Sequence, residues 1–416
     1  MLKFKWETEF KKTEIGEIPR DWEVKSIEQI TKEAIVGSTP LRRTKEYWEK
    51  GTIPWLTNKE VQYNQINFIE DTAEKITPYA LKRTNLKLIP PFSLIVSFTA
   101  SVGKVAINKL PITTNQQFIS FVLNDKEDVK FYAYYLLLSQ ELIESFSGAT
   151  PFSFITKEKA LQIPIPHPPP EEQSRIATVL SWFDDLIENK KKQNEILEKT
   201  AMAIFKSWFV DFESFQDEEF VYNEELDREV PKGWKVKGLG SFAEIIMGQS
   251  PSSKYYNEEG EGLPFIQGKG QYGKYTPQTT VYCSKLVKVA KPNDILVTVR
   301  APVGELNLAD REYIIGRGVA SLRNKYWAFL FLYLLSDNER LKSYERGTTY
   351  DAITKEELDS FPLLLPPQHI LEKFHSLVEP LFQKIILNQK QIMVLRKVRD
   401  ALLPQLVFGK LRVVEI

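Results

Sequence analysis

Apolar residues recur with a heptad-like spacing in two long, highly charged stretches, one in the middle of the chain and one at its end. Alternating steps of four and three residues from Ile176 meet eight apolar residues in ten, and the same steps from Phe374 again meet eight in ten. A 3.5-residue period held for this long predicts an amphipathic helix with a coiled-coil seam. The seam residues predicted to pair the two helices are Ile176, Leu180, Phe183, Ile187, Leu197, Ile204, Phe374, Leu381, Ile385, Ile392, Leu395 and Leu402.

The two seams are in register with each other. Adding 198 to each position of the first seam gives the second, and both become polar at the same step, at Lys190 and Asn388. A polar residue in a seam costs stability and fixes the register of pairing, so this layer predicts that the two helices pair with one another. Two unrelated amphipathic surface helices are the alternative.

Each predicted helix follows a proline-rich segment, PIPHPPPEEQ at 164–173 and PLLLPPQ at 362–368. Proline disfavours the α conformation in the residue before it but tolerates the first helical turn. We therefore expect a sharp helix start, with Glu171 and Glu172 close to the positive end of the helix dipole. Pro404, near the end of the second stretch, predicts a kink or the end of that helix.

The segments before the helices have the pattern of globular domains. Short apolar runs typical of strands, such as Leu94–Phe98 and Ile295–Val299, are separated by turns rich in Gly, Pro and Asn. Each segment closes with an apolar helix, Phe131–Leu138 in the first and Tyr326–Leu335 in the second. This mixture predicts an α+β fold.

The globular segments also repeat in sequence. Matches in the same order are GEIPRDWEV with REVPKGWKV, GSTP with GQSP, SLIVSFTASVGKVAI with DILVTVRAPVGELNL, and GATPFSFITKE with GTTYDAITKE. The predicted layout is domain, helix, domain and helix, with boundaries at 1–165, 166–213, 214–363 and 364–416. If the helices pair as an antiparallel coiled coil, two repeated α/β domains lie at opposite ends of one rod, related by a pseudo-twofold axis.

The first long stretch ends in four aromatic residues, Phe205, Trp208, Phe209 and Phe212, although the rest of it is highly charged. We interpret this group as a core plug between the end of the helix and the second domain. A docking face for a partner subunit is the alternative, because aromatic residues are enriched at the centres of interfaces.

The composition is that of an ordinary globular protein, with 43% hydrophobic and 26% charged residues. The net charge is zero, which counts mildly against nucleic-acid binding but permits a local basic patch. Cys283 is the only cysteine, which excludes intrachain disulfides and cysteine-based zinc sites and fits a reducing compartment. The start, MLKFKWETEF, is charged and has no apolar run, so we expect no signal peptide there. The longest apolar run, Tyr326–Leu335, is too short to span a bilayer. A cytoplasmic protein is expected.

The catalytic motifs that the sequence approaches are incomplete. IPPF at 89–92 resembles the Asn/Asp-Pro-Pro-Tyr/Phe motif of amino methyltransferases, but Ile89 cannot accept a hydrogen bond from a base amino group. GLPFIQGKG at 262–270 resembles a phosphate-binding loop, but it has one residue too many between its glycines and Gly270 replaces the magnesium-binding hydroxyl. The histidines also lack the spacing of zinc ligands on one helix face; they are His167, His369 and His375. We therefore expect no catalytic residue and no metal site.

The order of these motifs resembles that of the specificity subunits of type I restriction–modification systems. The resemblance covers nearly the whole chain and rests on GEIPRDWEV, PIPHPPPEEQSRIA, AIFKSWFVDF and LLPQLVFGKLRV. The second proline motif, PLLLPPQHILEKF, lacks the Glu-Gln of the first, which affects little beyond the helix start. The resemblance implies two target recognition domains that each bind one half of a split DNA sequence, with the helices as spacer and docking surface.

The resemblance further implies a non-catalytic subunit whose partners are double-stranded DNA, two methyltransferase subunits and restriction subunits, with no membrane. S-adenosylmethionine, ATP and magnesium are then expected only in the partner subunits. Two other interpretations stay open. One is a coiled-coil scaffold whose globular domains bind proteins without nucleic acid, which the zero net charge slightly favours. The other is an enzyme that acts alone, which the incomplete motifs disfavour.

Direct recognition of bases uses Arg or Lys for guanine and Asn or Gln for adenine, while short hydroxyls bind phosphates. We expect such side chains in loops at matched positions of the repeat. The candidates in the first domain are Arg42, Arg43, Lys45, Thr57, Asn58, Lys59, Thr99, Ser101, Lys104, Asn115 and Gln116. Those in the second are Ser252, Ser253, Lys254, Gln267, Lys269, Gln271, Tyr272, Lys274, Arg300 and Arg317. Because the residue types differ between the copies, the two domains should recognise different half-sites.

Overall fold

The computed structural model describes residues 2–147, 154–344 and 352–415. The repeated segments at 148–158 and 347–356 therefore lie partly outside the described residues. Within these ranges, no helix combines the length and the apolar character that are needed to cross a membrane.

The chain forms two compact units. Unit 1 consists of Met1–Leu186 together with Leu395–Ile416, and unit 2 consists of Ile187–Val394. Each unit thus holds one of the two globular segments. The finer division into four segments drawn from the sequence stays a prediction.

The globular part of unit 1 is a mixture of short strands and helices. Its strands are β1 Leu2–Trp6, β2 Phe10–Thr13, β3 Gly16–Pro19, β4 Glu23–Ser26, β5 Thr31–Val36, β6 Ile53–Leu56, β7 Ile66–Ile69, β8 Lys75–Ile76, β9 Leu94–Ser97, β10 Val105–Asn108, β11 Thr113–Thr114, β12 Phe118–Leu123 and β13 Pro164–His167. Its helices are α1 Ile27–Ile30, α2 Pro78–Arg83, α3 Val129–Leu138, α4 Gln140–Ser145 and α5 Lys157–Leu161. The main sheet has the order β5-β12-β9-β10-β7, and a second sheet has the order β11-β6-β8.

The main sheet of unit 1 is covered on both faces, because its central strands β9 and β10 are buried at every position rather than at alternate ones. All four residues of β9 are buried. Leu94 and Val96 pack in one cluster with Phe131 of α3, whereas Ile95 packs in another with Leu56 of β6. The strand predicted at Leu94–Phe98 is confirmed.

The first long helix, α6, extends from Pro170 to Phe209 and has 40 residues, which corresponds to about 60 Å. Pro164 and Pro166 lie in β13, which pairs antiparallel with β4. The helix then begins at Pro170, with Glu171 and Glu172 in its first turn. The sharp helix start predicted from the prolines is confirmed, and the first four residues of the proline-rich segment are a strand.

The globular part of unit 2 has the same kinds of element. Its strands are β14 Phe220–Asn223, β15 Arg228–Pro231, β16 Lys235–Gly238, β17 Glu244–Met247, β18 Tyr256–Asn257, β19 Leu263–Ile266, β20 Tyr282–Cys283, β21 Val289–Ala290, β22 Ile295–Thr298, β23 Leu306–Leu308, β24 Tyr313–Ile315, β25 Val319–Arg323 and β26 Pro362–Leu365. Its helices are α7 Trp327–Ser336, α8 Asn338–Lys342 and α9 Lys355–Ser360. The sheet β17-β25-β22-β23 has the strand order of β5-β12-β9-β10, and the other sheet has the order β18-β20-β19-β24-β21.

The central strand of unit 2 is covered in the same way as that of unit 1. Ile295 and Val297 of β22 pack with Phe329 of α7, and Leu296 packs with Ile266 of β19 in a separate cluster. Four strands of the two main sheets therefore share their order, and the central strands are buried in the same way. The main sheet of unit 1 has β7 as a fifth strand, and the second sheets differ in their strands.

The aromatic residues at the end of α6 pack into the core of unit 2. The ring centre of Phe209 lies 4.8 Å from that of Phe374, 5.0 Å from that of Phe329 and 5.7 Å from that of Trp234. Phe205 and Phe209 are almost completely buried. The interpretation of this group as a core plug is confirmed.

The second long helix, α10, extends from Gln368 to Val407 and also has 40 residues. It follows β26, which pairs antiparallel with β16. Pro404 lies in its last turn, and the helix ends three residues later, at Val407. The chain then forms β27, Leu411–Glu415, which pairs antiparallel with β1. This pairing of the two ends of the chain was not expected from the sequence.

Arg412 of β27 is the centre of an ion-pair network that holds the two chain ends in unit 1. Its guanidinium lies 2.5 Å from Glu172, 2.6 Å from Glu7 and 2.9 Å from Asp21. Glu172 also accepts a hydrogen bond from the indole of Trp22 at 3.1 Å. The first turn of α6 is thereby joined to both ends of the chain.

None of the predicted seam residues is exposed. In unit 2 the ring centres of Phe205 and Phe374 are 6.0 Å apart, and the amides of Asn194 and Asn388 are joined by a 2.8 Å hydrogen bond. Residues further along α6 therefore contact residues nearer the start of α10. The segments of the two helices in this unit are antiparallel.

The polar layer of unit 2 differs in detail from the sequence pattern. Lys190 donates to the side chain of Gln391 at 2.5 Å, and Asn388 donates to Asn194. Lys190 and Asn388 therefore have different partners, because equal seam positions of antiparallel helices do not face each other. The amide nitrogen of Asn194 and the amide oxygen of Asn388 are buried without a hydrogen bond in the described residues.

In unit 1 the corresponding contact between α6 and α10 is a buried ion pair. Arg399 lies 2.6 Å from Asp184, and Asp184 also accepts a hydrogen bond from the hydroxyl of Tyr134. The positions related by the 198-residue shift are Ala201 and Phe382, both buried and apolar. At this matched position the contact between the helices is ionic in unit 1, whereas both residues belong to the apolar core cluster in unit 2.

Candidate nucleic-acid interface

In unit 1 the loops that hold the candidate DNA-binding residues meet beyond the ends of β6, β9 and β12. Asn115 N donates to the carbonyl of Leu56 at 3.0 Å, and Phe98 N donates to the carbonyl of Gln117 at 2.9 Å. These bonds join three loops that are far apart in sequence. We call this surface edge 1; it comprises the loops at 37–45, 57–60, 98–104 and 115–117.

The first of these loops packs closely against the last. Gly37 N donates to the carbonyl of Phe118 at 3.1 Å, and a Cβ atom at Gly37 would lie 2.0 Å from the carbonyl oxygen of Asn115. The hydroxyl of Thr39 donates to the side-chain oxygen of Gln116. The glycine of GSTP is therefore required by the close approach of the two backbones.

Lys104 connects two loops of edge 1. Its ammonium group donates to the carbonyl of Asn58 at 2.9 Å and lies 5.1 Å from the ring centre of Tyr63. Burial lowers the pKa of Lys104. Asn58 is buried, and its side-chain oxygen has no hydrogen bond in the described residues. Lys104 and Asn58 thus hold the loops in place.

Arg42 has a structural role. Its guanidinium makes a two-pronged ion pair with Glu74, one hydrogen bond of which is 2.9 Å long. It also lies 4.0 Å from the ring centre of Trp48 and 4.7 Å from that of Trp55. The hydrogen bond to Glu74 raises the pKa of Arg42. Its hydrogen-bonding fork is therefore occupied within the protein.

Several other candidates in edge 1 have partners within the protein. The hydroxyl of Thr57 donates to Glu60 at 2.9 Å, and the side chain of Asn115 donates to that of Gln117 at 3.1 Å. The carbonyl of Ser101 accepts a hydrogen bond from the hydroxyl of Ser97, and Lys45 lies 3.7 Å from Glu49.

The remaining candidates in edge 1 are accessible. Arg43 and Lys59 are exposed and have no hydrogen bond or ion pair within the described residues. Gln116 is exposed apart from its bond to Thr39, and Thr99 is half-buried.

In unit 2 the candidate loops meet in the same way beyond β19, β22 and β25. Gly316 N donates to the carbonyl of Ile266 at 2.7 Å, and Val299 N donates to the carbonyl of Gly318 at 2.9 Å. They lie at the same positions of the repeat as the two hydrogen bonds that join the loops of edge 1. We call this surface edge 2; it comprises the loops at 248–255, 267–274, 299–305 and 316–318.

The glycine of GQSP repeats the close approach seen in edge 1. Gly248 N donates to the carbonyl of Val319 at 3.0 Å, and a Cβ atom at Gly248 would lie 2.1 Å from the carbonyl oxygen of Gly316. Arg317 N donates to the hydroxyl of Ser250 at 3.1 Å. The first and last loops of edge 2 are therefore joined as they are in edge 1.

An ion pair between Lys269 and Glu305, 3.0 Å long, connects two loops of edge 2. Glu305 matches Lys104 in the repeat, so the charge at this position is reversed. A search for residue types that bind DNA omits Glu305 because it is acidic. The alignment of VGK with VGE was the signal that could have identified it.

Three candidates in unit 2 have side chains that are buried or that bind other groups of the protein. Lys274 lies 3.4 Å from Glu195 of α6. The side-chain oxygen of Gln271 accepts hydrogen bonds from the backbone of its own loop, at Gln267 and Gly268. The hydroxyl of Tyr272 is buried without a partner in the described residues, and burial raises its pKa.

The remaining candidates in edge 2 are exposed. Lys254 lies 5.0 Å from the ring centre of Tyr255. The side chains of Arg300 and Arg317 have no hydrogen bond and no carboxylate partner within the described residues. The exposed candidates are Ser252, Ser253, Lys254, Gln267, Lys269, Arg300 and Arg317.

Within residues 2–147, 154–344 and 352–415, no three His, Cys, Asp or Glu side chains come together as they would around a metal ion. The exposed candidates of the two edges are side chains that form hydrogen bonds and cationic contacts. Arginine, lysine, glutamine and short hydroxyls are the side chains that bind phosphates and base edges.

Comparison with known proteins identifies the family. The family described as "Type I restriction modification DNA specificity domain" matches the chain twice, at residues 19–199 and 231–397. The type I restriction enzyme MjaIX specificity subunit of Methanocaldococcus jannaschii is 41% identical over 100% of this chain and 99% of its own length. The HindI specificity subunit of Haemophilus influenzae is 25% identical over 67% of this chain and 77% of its own length.

A solved structure shares the fold. The crystal structure of a type I restriction–modification S subunit from M. genitalium is 19% identical, covers 92% of this chain and 96% of its own, and has a TM-score of 0.62. The chain belongs to the family of type I restriction–modification DNA specificity subunits. It is therefore a non-catalytic subunit, and the resemblance noted in the sequence is confirmed.

Proposed function

We propose that the chain binds a bipartite site in double-stranded DNA, with edge 1 at one half-site and edge 2 at the other. The observation that carries this proposal is the recurrence of one loop frame with different side chains. Asn115 N to Leu56 O in unit 1 corresponds to Gly316 N to Ile266 O in unit 2. A fixed frame with variable side chains suits two recognition sites for two different sequences.

The two long helices set the number of unspecified bases between the half-sites. Helix α6 continues without interruption from unit 1 into unit 2, and α10 continues from unit 2 into unit 1. Antiparallel pairing along the seam gives a stiff connection, so the spacing of the half-sites is fixed by helix length.

The helices also provide docking surface for two methyltransferase subunits, and restriction subunits join that assembly, which we place in the cytoplasm. Large apolar side chains remain exposed on both helices, which is unfavourable unless a partner covers them. S-adenosylmethionine, ATP and magnesium bind to the partner subunits. The exposed side chains are Trp182, Leu186 and Ile196 on α6, and Leu387, Val394 and Val398 on α10.

Selection from random duplex DNA tests this function. The chain is copurified with its methyltransferase subunit, supplied with methyl donor, and used to enrich bound duplexes at a fixed salt concentration. We expect two short conserved blocks separated by a constant number of unspecified bases. Failure to enrich any sequence would contradict the proposal and favour a scaffold that binds only proteins.

A further inference from the structure

We infer that Arg300 and Arg317 select guanine in the half-site bound by unit 2, whereas Thr99 and Gln116 hold the same places in unit 1 for a different base. This inference rests on the proposed function, because it assigns a base preference to edge 2. It goes further in naming two residues of each unit that determine specificity.

The two arginines are brought together by the backbone. Val299 N donates to the carbonyl of Gly318 at 2.9 Å, and each arginine is one residue away from this bond. Arg317 lies in a tight turn that is closed by a 3.0 Å bond from Val319 N to the carbonyl of Gly316. Their positions are therefore fixed by the sheet and not by their own side chains.

The same construction is present in unit 1. Phe98 N donates to the carbonyl of Gln117 at 2.9 Å, and a turn is closed by the bond from Phe118 N to the carbonyl of Asn115 at 3.3 Å. Thr99 and Gln116 are each one residue away from the first of these bonds. The matched positions thus differ in side chain, Thr against Arg and Gln against Arg, but share their backbone frame.

The arginines of edge 2 differ from those that support the fold. Arg42 is paired with Glu74, and Arg323 lies 2.8 Å from Asp294. Arg300 and Arg317 are exposed and have no carboxylate partner in the described residues. Their hydrogen-bond donors are therefore available to a ligand with acceptor atoms.

Guanine is the base whose acceptors match an arginine fork. Its O6 and N7 atoms accept two parallel hydrogen bonds in the major groove, whereas adenine offers one donor and one acceptor that match the amide of Gln or Asn. Lys254, Ser252 and Ser253 are exposed in the first loop of edge 2, which a hydrogen bond from Arg317 N to the hydroxyl of Ser250 joins to the last loop, and they suit phosphate contacts. The arginine pair is thus available for base edges, and Gln116 at the matched place suits adenine.

The test compares selected DNA sequences for the wild-type chain and two variants, each full-length and copurified with the methyltransferase subunit. Arg317→Gln places the residue of edge 1 in edge 2, and Gln116→Arg is the reciprocal change in edge 1. We expect Arg317→Gln to alter one position in one block only, and Gln116→Arg to alter the other block only. Competition between duplexes that differ at that position should show roughly a 5- to 150-fold loss of preference for guanine.

Arg300→Thr tests the second arginine, and Arg317→Lys keeps the charge but loses the rigid fork. We expect Arg317→Lys to weaken the guanine preference while the salt dependence of binding stays as in the wild type. An equal loss of affinity for all sequences, or wild-type blocks without guanine, would overturn the inference and leave the bipartite function intact. If the wild-type chain enriched no block at all, the proposed function would itself fail.

Because both arginines are exposed, the variants should unfold at the wild-type temperature. If Arg317→Gln unfolded at a lower temperature than the wild type, Arg317→Lys would be used instead. That change leaves the charge and the length of the side chain nearly unchanged. An unchanged sequence preference in a folded Arg317→Gln variant would contradict the inference directly.

Discussion

Edges 1 and 2 share a backbone frame, but their loops are held by groups of opposite charge. In edge 1 the ammonium of Lys104 reaches the carbonyl of Asn58, and in edge 2 the carboxylate of Glu305 at the matched position reaches Lys269. The frame itself depends on backbone hydrogen bonds and on glycine. Side chains can therefore change without loss of the fold, which is the condition for two recognition sites of different specificity on one scaffold.

The largest difference in stability between the units should come from the helix seam. Arg399→Ala leaves the carboxylate of Asp184 buried without its partner, which should cost about 3–5 kcal/mol of unfolding free energy. Denaturant unfolding of the wild type and the variant measures this loss. The matched control is Ala201→Gly in unit 2, where no ion is involved. Equal losses at the two sites would contradict the distinction between an ionic and an apolar seam.

The next largest effect should come from the glycines that hold each edge together. Gly37→Ala and Gly248→Ala should each cost about 1–3 kcal/mol, because the added Cβ must displace backbone atoms. Gly270→Ala is the control, since a Cβ there meets no atom within 4 Å. Each edge variant should weaken binding to its own half-site in selected duplexes. Loss at both half-sites from either change would mean that the edges are not independent.

A smaller change in stability should follow from lowering the pH, through Glu7 of unit 1, where the two chain ends pair. Hydrogen bonds from the backbone of Glu9 and then of Thr8, together with Arg412, lower the pKa of Glu7 from 4.5 to about 2. A depressed carboxyl pKa contributes stability that is complete above pH 4.5 and is lost as the pH falls towards 2.

Glu7→Gln should remove this pH-dependent contribution, of about 1 kcal/mol after allowance for solvent screening. Unfolding free energies of the wild type and the variant should therefore converge as the pH falls below 4.5. A difference that stays constant from pH 6 to pH 3 would show that ionised Glu7 contributes nothing.

The smallest effect on stability should come from the ion pair of edge 2. Glu305→Gln should cost less than about 1 kcal/mol, because Lys269 and Glu305 are both partly exposed. Its effect on DNA binding should be confined to the half-site of unit 2. The double variant Lys269→Glu with Glu305→Lys should restore that binding in part. If the double variant bound as weakly as the single one, the ion pair would not be what fixes the loop.

The sequence predicted the elements whose apolar residues recur with a strong period. It did not predict which partners the side chains contact. The two long helices, the strand at Leu94–Ser97 and the core plug around Phe209 follow from apolar spacing, which marks buried positions whatever they pack against. The pairing of β1 with β27 was missed because it joins short strands at opposite ends of the chain. Such long-range pairing leaves no local pattern.

Among the candidate DNA-binding residues, the residue type alone could not separate free from committed side chains. Arg42 and Arg317 are both loop arginines after a short polar segment, but only Arg42 has a carboxylate, Glu74, within reach. Lys274 is likewise held by Glu195 of α6. These partners are distant in sequence, so they become visible only when the loops are placed in three dimensions.

The most direct test of the account is to lengthen the helices and measure the spacing of the half-sites. One heptad is inserted after Lys192 in α6 and one after Lys390 in α10, which keeps the seam in register. The added length of about 10 Å should widen the gap between the two selected blocks by about three base pairs. The sequences of both blocks should stay the same. An unchanged gap in a folded, DNA-binding variant would contradict the role of the helices as the spacer between two recognition edges.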